Sequence, residues 1–123
     1  MALRLYAPGN TGTGAATPMD ASGFAHLRIH LASTTDGTLA IKLQPSPVAA
    51  DGCTPTARAV VNATTTEFVI DLDDASFSLP NYCTPSSTTL HQMLAGLYAI
   101  DVINDAVNAG PHDLVVGTLS LVP

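Results

Sequence analysis

Charged side chains are scarce in this sequence. Only 11% of its 123 residues are Asp, Glu, Lys or Arg, whereas a soluble domain usually has roughly 25%. Four basic residues against ten acidic ones give a net charge of −6. This balance argues against a nucleic-acid partner, because binding to phosphates requires clustered positive charge. No apolar run approaches the roughly 18 residues of a membrane-spanning helix. We therefore expect neither a nucleic-acid partner nor a membrane partner.

The motifs of common catalytic and cofactor sites are also missing. No Gly-x-Ser-x-Gly elbow is present to expose a nucleophilic serine. Three glycines near the amino terminus lack the spacing of a phosphate-binding loop, and the single lysine of the chain, Lys42, lies far from them. We therefore expect a protein that is not an enzyme, with no catalytic residues and no cofactor.

Aromatic residues make up only 5% of the sequence, and tryptophan is absent. Carbohydrate-binding β-sandwiches stack sugars on exposed aromatic rings, so this composition weakens a sugar-binding interpretation. Tyr82 and Phe24 are the aromatic residues that strand alternation does not assign to a core. A secreted carbohydrate-binding or adhesion module therefore stays as the alternative function.

The two cysteines lie in matching contexts, since Cys53 and Cys83 are each followed by Thr-Pro. Both are in loop-like stretches that could meet at one end of a sandwich. A disulfide bridge between them would add about 3 kcal/mol to the free energy of unfolding in the chain-entropy model. Two unlinked thiols in a protein made in the cytosol are the alternative. The sequence leaves this choice open.

Apolar residues recur mostly at every second position, which is typical of half-buried β-strands. Hydrophobic residues are 46% of the chain, too many for a disordered protein. The pattern predicts an all-β fold, an antiparallel β-sandwich of about seven strands of immunoglobulin-like or jelly-roll type. We expect at most one short helical turn, at residues 88–95. The predicted strands are residues 2–6, 23–31, 38–44, 57–63, 66–73, 97–104 and 113–122.

The sequence predicts one domain with an extended amino-terminal part. Residues 1–22 read as a short first strand and a Gly-, Thr- and Pro-rich arm, and residues 23–123 read as the sandwich. Turn residues at 33–37 separate two alternating runs, 23–31 and 38–44, and predict a β-hairpin.

Three polar residues share one face of the second predicted strand: His26, Arg28 and His30. A strand rises roughly 3.3 Å per residue, so the two histidines stand about 13 Å apart and cannot bind one metal ion. We interpret this set as a polar stripe that faces solvent or another subunit.

The densest acidic cluster is Asp71, Asp73 and Asp74, with Glu67 on the same predicted strand. Carboxylate oxygens suit calcium, but the ion takes six to eight oxygen ligands, and the chain has no spaced acidic loop with a closing Glu. The sequence favours an outward acidic face that discourages edge pairing over a calcium site.

Low surface charge is the strongest functional signal in the sequence, because the cores of protein interfaces are depleted of charge in the same way. Outer strand positions such as Thr38, Ala40, Thr118 and Ser120 are uncharged and suited to lie against another subunit. We therefore expect an assembly component that forms a homo-oligomer. The candidate subunit contacts are Pro8, Gly9, Asn10 and Thr11 of the arm, and His26, Arg28 and His30 of the stripe.

A resemblance supports this class. The segment from Gly96 to Val102, the loop residues 108–110 and the run from Leu114 to Val116 resemble the Gly-x-Tyr strand, loop and closing strand of β-sandwich modules in bacteriophage virion proteins. The resemblance covers about 26 residues. It implies a non-enzymatic virion role, either capsid decoration or a tail or baseplate accessory, with capsid or tail proteins of the same virion as partners.

The composition agrees with a virion location. The first strand stops at Pro8 and Gly9, too soon for the apolar core of a secretory signal. Scarce lysine and abundant threonine are nevertheless typical of extracellular proteins. A protein made in the host cytoplasm that functions in the extracellular particle satisfies both observations.

Overall fold

The computed structural model describes residues 2–6, 19–33, 36–45, 54–79, 90–104 and 114–123. It confirms an all-β fold, and the described residues form seven strands and one very short helix. In chain order the elements are β1 (Ala2–Tyr6), β2 (His26–Ser33), β3 (Gly37–Pro45), β4 (Thr56–Val61), β5 (Glu67–Asp71), α1 (Leu90–Leu94), β6 (Leu97–Asn104) and β7 (Leu114–Val122).

The strands form two sheets whose apolar faces pack against each other. The four-stranded sheet has the order β1-β6-β3-β4, the three-stranded sheet has the order β5-β2-β7, and every strand pair is antiparallel. The core joins alternate residues of β2 to alternate residues of β3. Its most deeply buried members in these strands are Leu27, Ile29, Leu39, Ile41 and Leu43.

The predicted hairpin between β2 and β3 is wrong. These strands belong to different sheets: β2 pairs with β5 and β7, and β3 pairs with β4 and β6. Period-two alternation shows which face of a strand is buried but does not show which strand lies beside it. β2 and the strand that follows it, β3, therefore lie in opposite layers of the sandwich instead of side by side in one sheet.

The order of the strands is that of a jelly roll. An immunoglobulin sandwich pairs several strands that are consecutive in the chain, whereas here only β3 and β4 are both consecutive and paired. When β1 to β7 are counted as the second to the eighth strand of a jelly roll, both sheet orders match that fold. No strand among the described residues takes the first position, which lies beside β7.

Part of the predicted arm is packed against the sandwich. Met19 forms an antiparallel bridge with Leu97, and the backbone amide of Ala21 donates to the carbonyl oxygen of Leu94 at 2.7 Å. Ala21 is fully buried. The candidate contacts Pro8, Gly9, Asn10 and Thr11 lie outside the described residues.

Alternation begins later in β2 than the sequence predicts. The alternation of residues 23–31 places Ala25 on the same face as Leu27 and Phe24 on the face of His26, but Ala25 is exposed and Phe24 packs against the core. Both residues precede His26, where the strand starts. They therefore follow the geometry of the preceding turn.

Candidate interaction surfaces

The outer face of the three-stranded sheet carries a ladder of opposite charges, which we call the charged face. Its residues are His26, Arg28 and His30 on β2 and Glu67 and Asp71 on β5. The Nδ1 atom of His26 lies 2.8 Å from an Asp71 carboxylate oxygen. The Nε atom of Arg28 lies 3.1 Å from Glu67, and Nδ1 of His30 lies 3.8 Å from the other Glu67 oxygen.

The sequence predicted the polar stripe and an acidic face but not their contact. Antiparallel pairing of β2 and β5 sets His26 opposite Asp71 and His30 opposite Glu67. The side chains are roughly half exposed, and such pairs contribute only about 0–1 kcal/mol each. The polar side chains of the charged face are thus paired with one another within the chain, and its role in subunit contact stays a prediction.

The three calcium candidates serve three separate local contacts. Asp71 faces His26. One carboxylate oxygen of Asp73 accepts a hydrogen bond from the backbone amide of Ser76 at 2.8 Å, and this contact stabilises a turn. Asp74 accepts the backbone amide of Leu90, at the start of α1, at 3.2 Å. Within the part of the chain that the structure describes, no three acidic, His or Cys side chains form a group that could hold a metal ion.

A buried polar network lies on the outer face of the four-stranded sheet. The Nε and Nη2 atoms of Arg4 donate to the two carboxylate oxygens of Asp101 at 2.6 and 2.8 Å. The side-chain amide of Gln44 donates to the same carboxylate at 2.9 Å. Asp101 is only 7% exposed. The hydrogen bond to Asp101 raises the pKa of the Arg4 guanidinium above its ordinary value.

Sequence reasoning missed this network. Asp101 stands at an outward position of an apolar strand, where a single carboxylate is usually solvated. Its burial and its partner on β1, 97 positions away in the chain, become visible only with the pairing of β1 and β6. The network fastens β1 to the sheet by side chains as well as by backbone. Its Gln44 side-chain carbonyl oxygen is buried and has no hydrogen-bond partner among the described residues.

In the part of the chain that the structure describes, each edge strand of the two sheets carries an exposed large hydrophobic side chain. They are Tyr6 on β1, Val60 on β4, Val69 on β5 and Val115 on β7, and the most exposed are Val60 at 81% and Val115 at 63%. Natural edge strands are commonly blunted with lysine, proline or charge, because their free backbone groups can pair with another chain. The single lysine here lies on the interior strand β3.

The uncharged outer positions named from the sequence are not equally available. Ala40 on β3 is only 3% exposed and cannot contact a neighbour. Thr38 and Ser120 are half-buried, and Thr118 on β7 is exposed. The available uncharged surface therefore lies toward β7.

An apolar cleft with a volume of about 390 Å³ opens between the sheets. It is lined from three strands, β1, β6 and β7, and from the segment before β2. None of its described lining residues is charged; they include Leu5, Met19, Phe24, Leu97, Leu119 and Leu121. A cleft of this size is within the range that holds ligands or side chains of a partner.

Several sequence-based candidates lie outside the described residues. These are Cys53 and Cys83, whose bridge therefore stays a prediction, together with Tyr82 and loop residues 108–110.

No helix among the described residues is long and apolar enough to span a membrane. A scan against protein-family models found no match, and no curated protein matches the chain.

Proposed function

We propose that this chain is a non-enzymatic structural protein of a bacteriophage particle, and that it acts as a capsid decoration protein bound to other virion subunits. The supporting observation is the exposed hydrophobic side chain on every edge strand. A freely diffusing monomer gains nothing from apolar edges, which risk uncontrolled pairing with other chains. In an assembly the same side chains become buried.

The arrangement of charge supports the same proposal. The ion pairs Arg4–Asp101 and Arg28–Glu67 neutralise charges inside the chain, and Asp71 is hydrogen-bonded to His26. Apart from Arg58 on β4, the side chains that remain on the edge strands are apolar or uncharged, which is the composition of an interface core.

The virion assignment rests on the resemblance of residues 96–102 and 114–116 to bacteriophage sandwich modules. These segments lie at the start of β6 and at the start of β7, in different sheets. The partners would be capsid or tail proteins, and the protein would be made in the host cytoplasm and act in the extracellular particle.

Co-sedimentation with capsids of the phage that encodes the chain tests this function. We expect saturable binding that weakens by about tenfold or more when an exposed edge valine is replaced, as in Val60→Lys or Val69→Lys, since a buried ammonium group is costly. Ala63→Lys adds the same charge on an exposed turn and should bind as the wild type does. A chain that stays monomeric at high concentration and ignores the capsids would exclude the proposal.

The alternative is a secreted carbohydrate-binding or adhesion module, and one contact favours it. The rings of Tyr6 and Tyr98 meet edge to face, with centroids 5.5 Å apart and planes at 63°, and Tyr6 is partly exposed. A glycan array separates the two functions. Binding that disappears in Tyr6→Ala would favour the module, and silence across the array would count against it.

A further inference from the structure

Strand β7 differs from the other three edge strands. It has nine residues, whereas β1, β4 and β5 have five, six and five. Its sequence, LVVGTLSLV, contains no charged residue and no proline. The other edges carry Arg4, Arg58, or Glu67 with Asp71. The edge of β7 is therefore the one best suited to accept another strand.

The four-stranded sheet extends past the three-stranded sheet at the side of β7. Leu5, Ile100 and Leu43 form one row across β1, β6 and β3. Ile100 and Leu43 are buried beneath the opposite sheet, but Leu5 is only half-buried. The apolar cleft lies here, bounded by Leu5 on one side and by Leu119 and Leu121 on the other. A strand added at β7 would cover this row.

We propose that β7 accepts an extended strand from a partner protein, which completes the three-stranded sheet as a fourth strand. The inference deepens the proposed function, since it rests on the chain being a component of an assembly. The strand would pair with the backbone edge of β7 that no described strand occupies, and every second side chain would enter the cleft. Because β7 and the described cleft lining carry no charge, the partner segment is uncharged, with apolar residues at alternate positions.

A synthetic peptide with this pattern, Thr-Val-Thr-Leu-Thr-Leu-Thr-Val-Thr, tests the inference on the full chain. The control peptide, Thr-Thr-Thr-Val-Leu-Leu-Val-Thr-Thr, has the same composition without alternation. We expect saturable binding of the first peptide, and binding of the control weaker by about tenfold or more. Backbone amides of residues 118–122 should exchange hydrogen more slowly when the first peptide is bound. Those of β4, an edge of the other sheet, should not change.

The variant Gly117→Leu tests the cleft itself. Gly117 lines the cleft, and a Cβ atom there meets only the backbone oxygen of His30 at 3.6 Å, an ordinary contact. The variant should therefore fold, and its side chain should take the place of the peptide's and weaken binding by about tenfold or more. Gly23→Leu, where a Cβ meets nothing within 4 Å, is the matched control and should bind normally.

The outcomes separate the two proposals. Peptide binding that both glycine variants retain, or equal binding of both peptides, overturns the inference about β7. Binding of an apolar dye in the cleft without binding of either peptide overturns it as well, and indicates a small-molecule site. If capsids bind Gly117→Leu as well as the wild type, the inference fails and the proposed function stands. If the peptide binds as expected but capsids do not, the proposed function fails alone.

Discussion

At the scale of single residues, the contact between Arg4 and Asp101 links β1 to β6 by side chains, and the sequence alone does not show this contact. The alternation of residues 23–31 and 38–44 predicts that Leu27, Ile29, Leu39 and Ile41 share the buried faces of their strands, and the structure confirms that all four are buried. In the sequence pattern, Asp101 stands at an outward position like any solvated polar residue. Its burial cannot be read from that pattern, because it depends on the pairing of β6 with the distant strand β1. Its bidentate contact with Arg4 is a property of tertiary pairing.

Arg4→Met should lower the free energy of unfolding by about 1–3 kcal/mol, because it leaves the Asp101 carboxylate with the Gln44 amide as its remaining partner in the network. Denaturant unfolding measures the change. Arg4→Lys keeps the charge and loses the two-pronged geometry, so its loss should be smaller. An Arg4→Met midpoint equal to that of the wild type would show that the network contributes no stability.

At the scale of elements, most boundaries follow from the sequence and the pairing does not. The expected strands 38–44, 57–63, 66–73 and 113–122 correspond to β3, β4, β5 and β7 within a few residues. The short helix was predicted from the spacing of Leu90, Met93 and Leu94. The β2–β3 hairpin failed because a turn sequence can also lead the chain across to the opposite sheet. The sheet to which each strand belongs determines which strands lie at the edges. The edge position of β7 therefore could not be predicted from the sequence.

Leu94→Ala should destabilise the protein by about 2–5 kcal/mol, since Leu94 is almost fully buried in the core. Five residues are too few for a helix to be stable alone, so α1 depends on Leu90 and Leu94 for its position. Thermal unfolding followed by circular dichroism measures the loss. His91→Ala, on the exposed side of the same helix, should stay within about 0.5 kcal/mol of the wild type. Equal effects of the two changes would contradict the role of Leu94 as an anchor.

At the scale of the whole molecule, nearly every strand pair joins distant parts of the chain. Among the described strands, only β3 and β4 are neighbours in both sequence and space. The chain must lose the conformational entropy of closing long loops before these contacts can stabilise it. Folding is therefore slow.

We therefore expect refolding in milliseconds to seconds, as for other domains dominated by non-local strand pairs. Stopped-flow dilution from denaturant, followed by tyrosine fluorescence, measures the rate. Folding within microseconds would mean that local contacts carry the transition state and would contradict the expected topology dependence.

The same topology has a consequence for synthesis on the ribosome. The N-terminal strand β1 has its sheet partner in β6, and β2 receives its second neighbour from β7, the final strand. An emerging chain therefore displays the apolar faces of β2 and β3 before their partners have been translated. The sandwich can close only after β7 has left the ribosome, and a chain stalled before residue 114 would present Leu27 and Ile29 to chaperones.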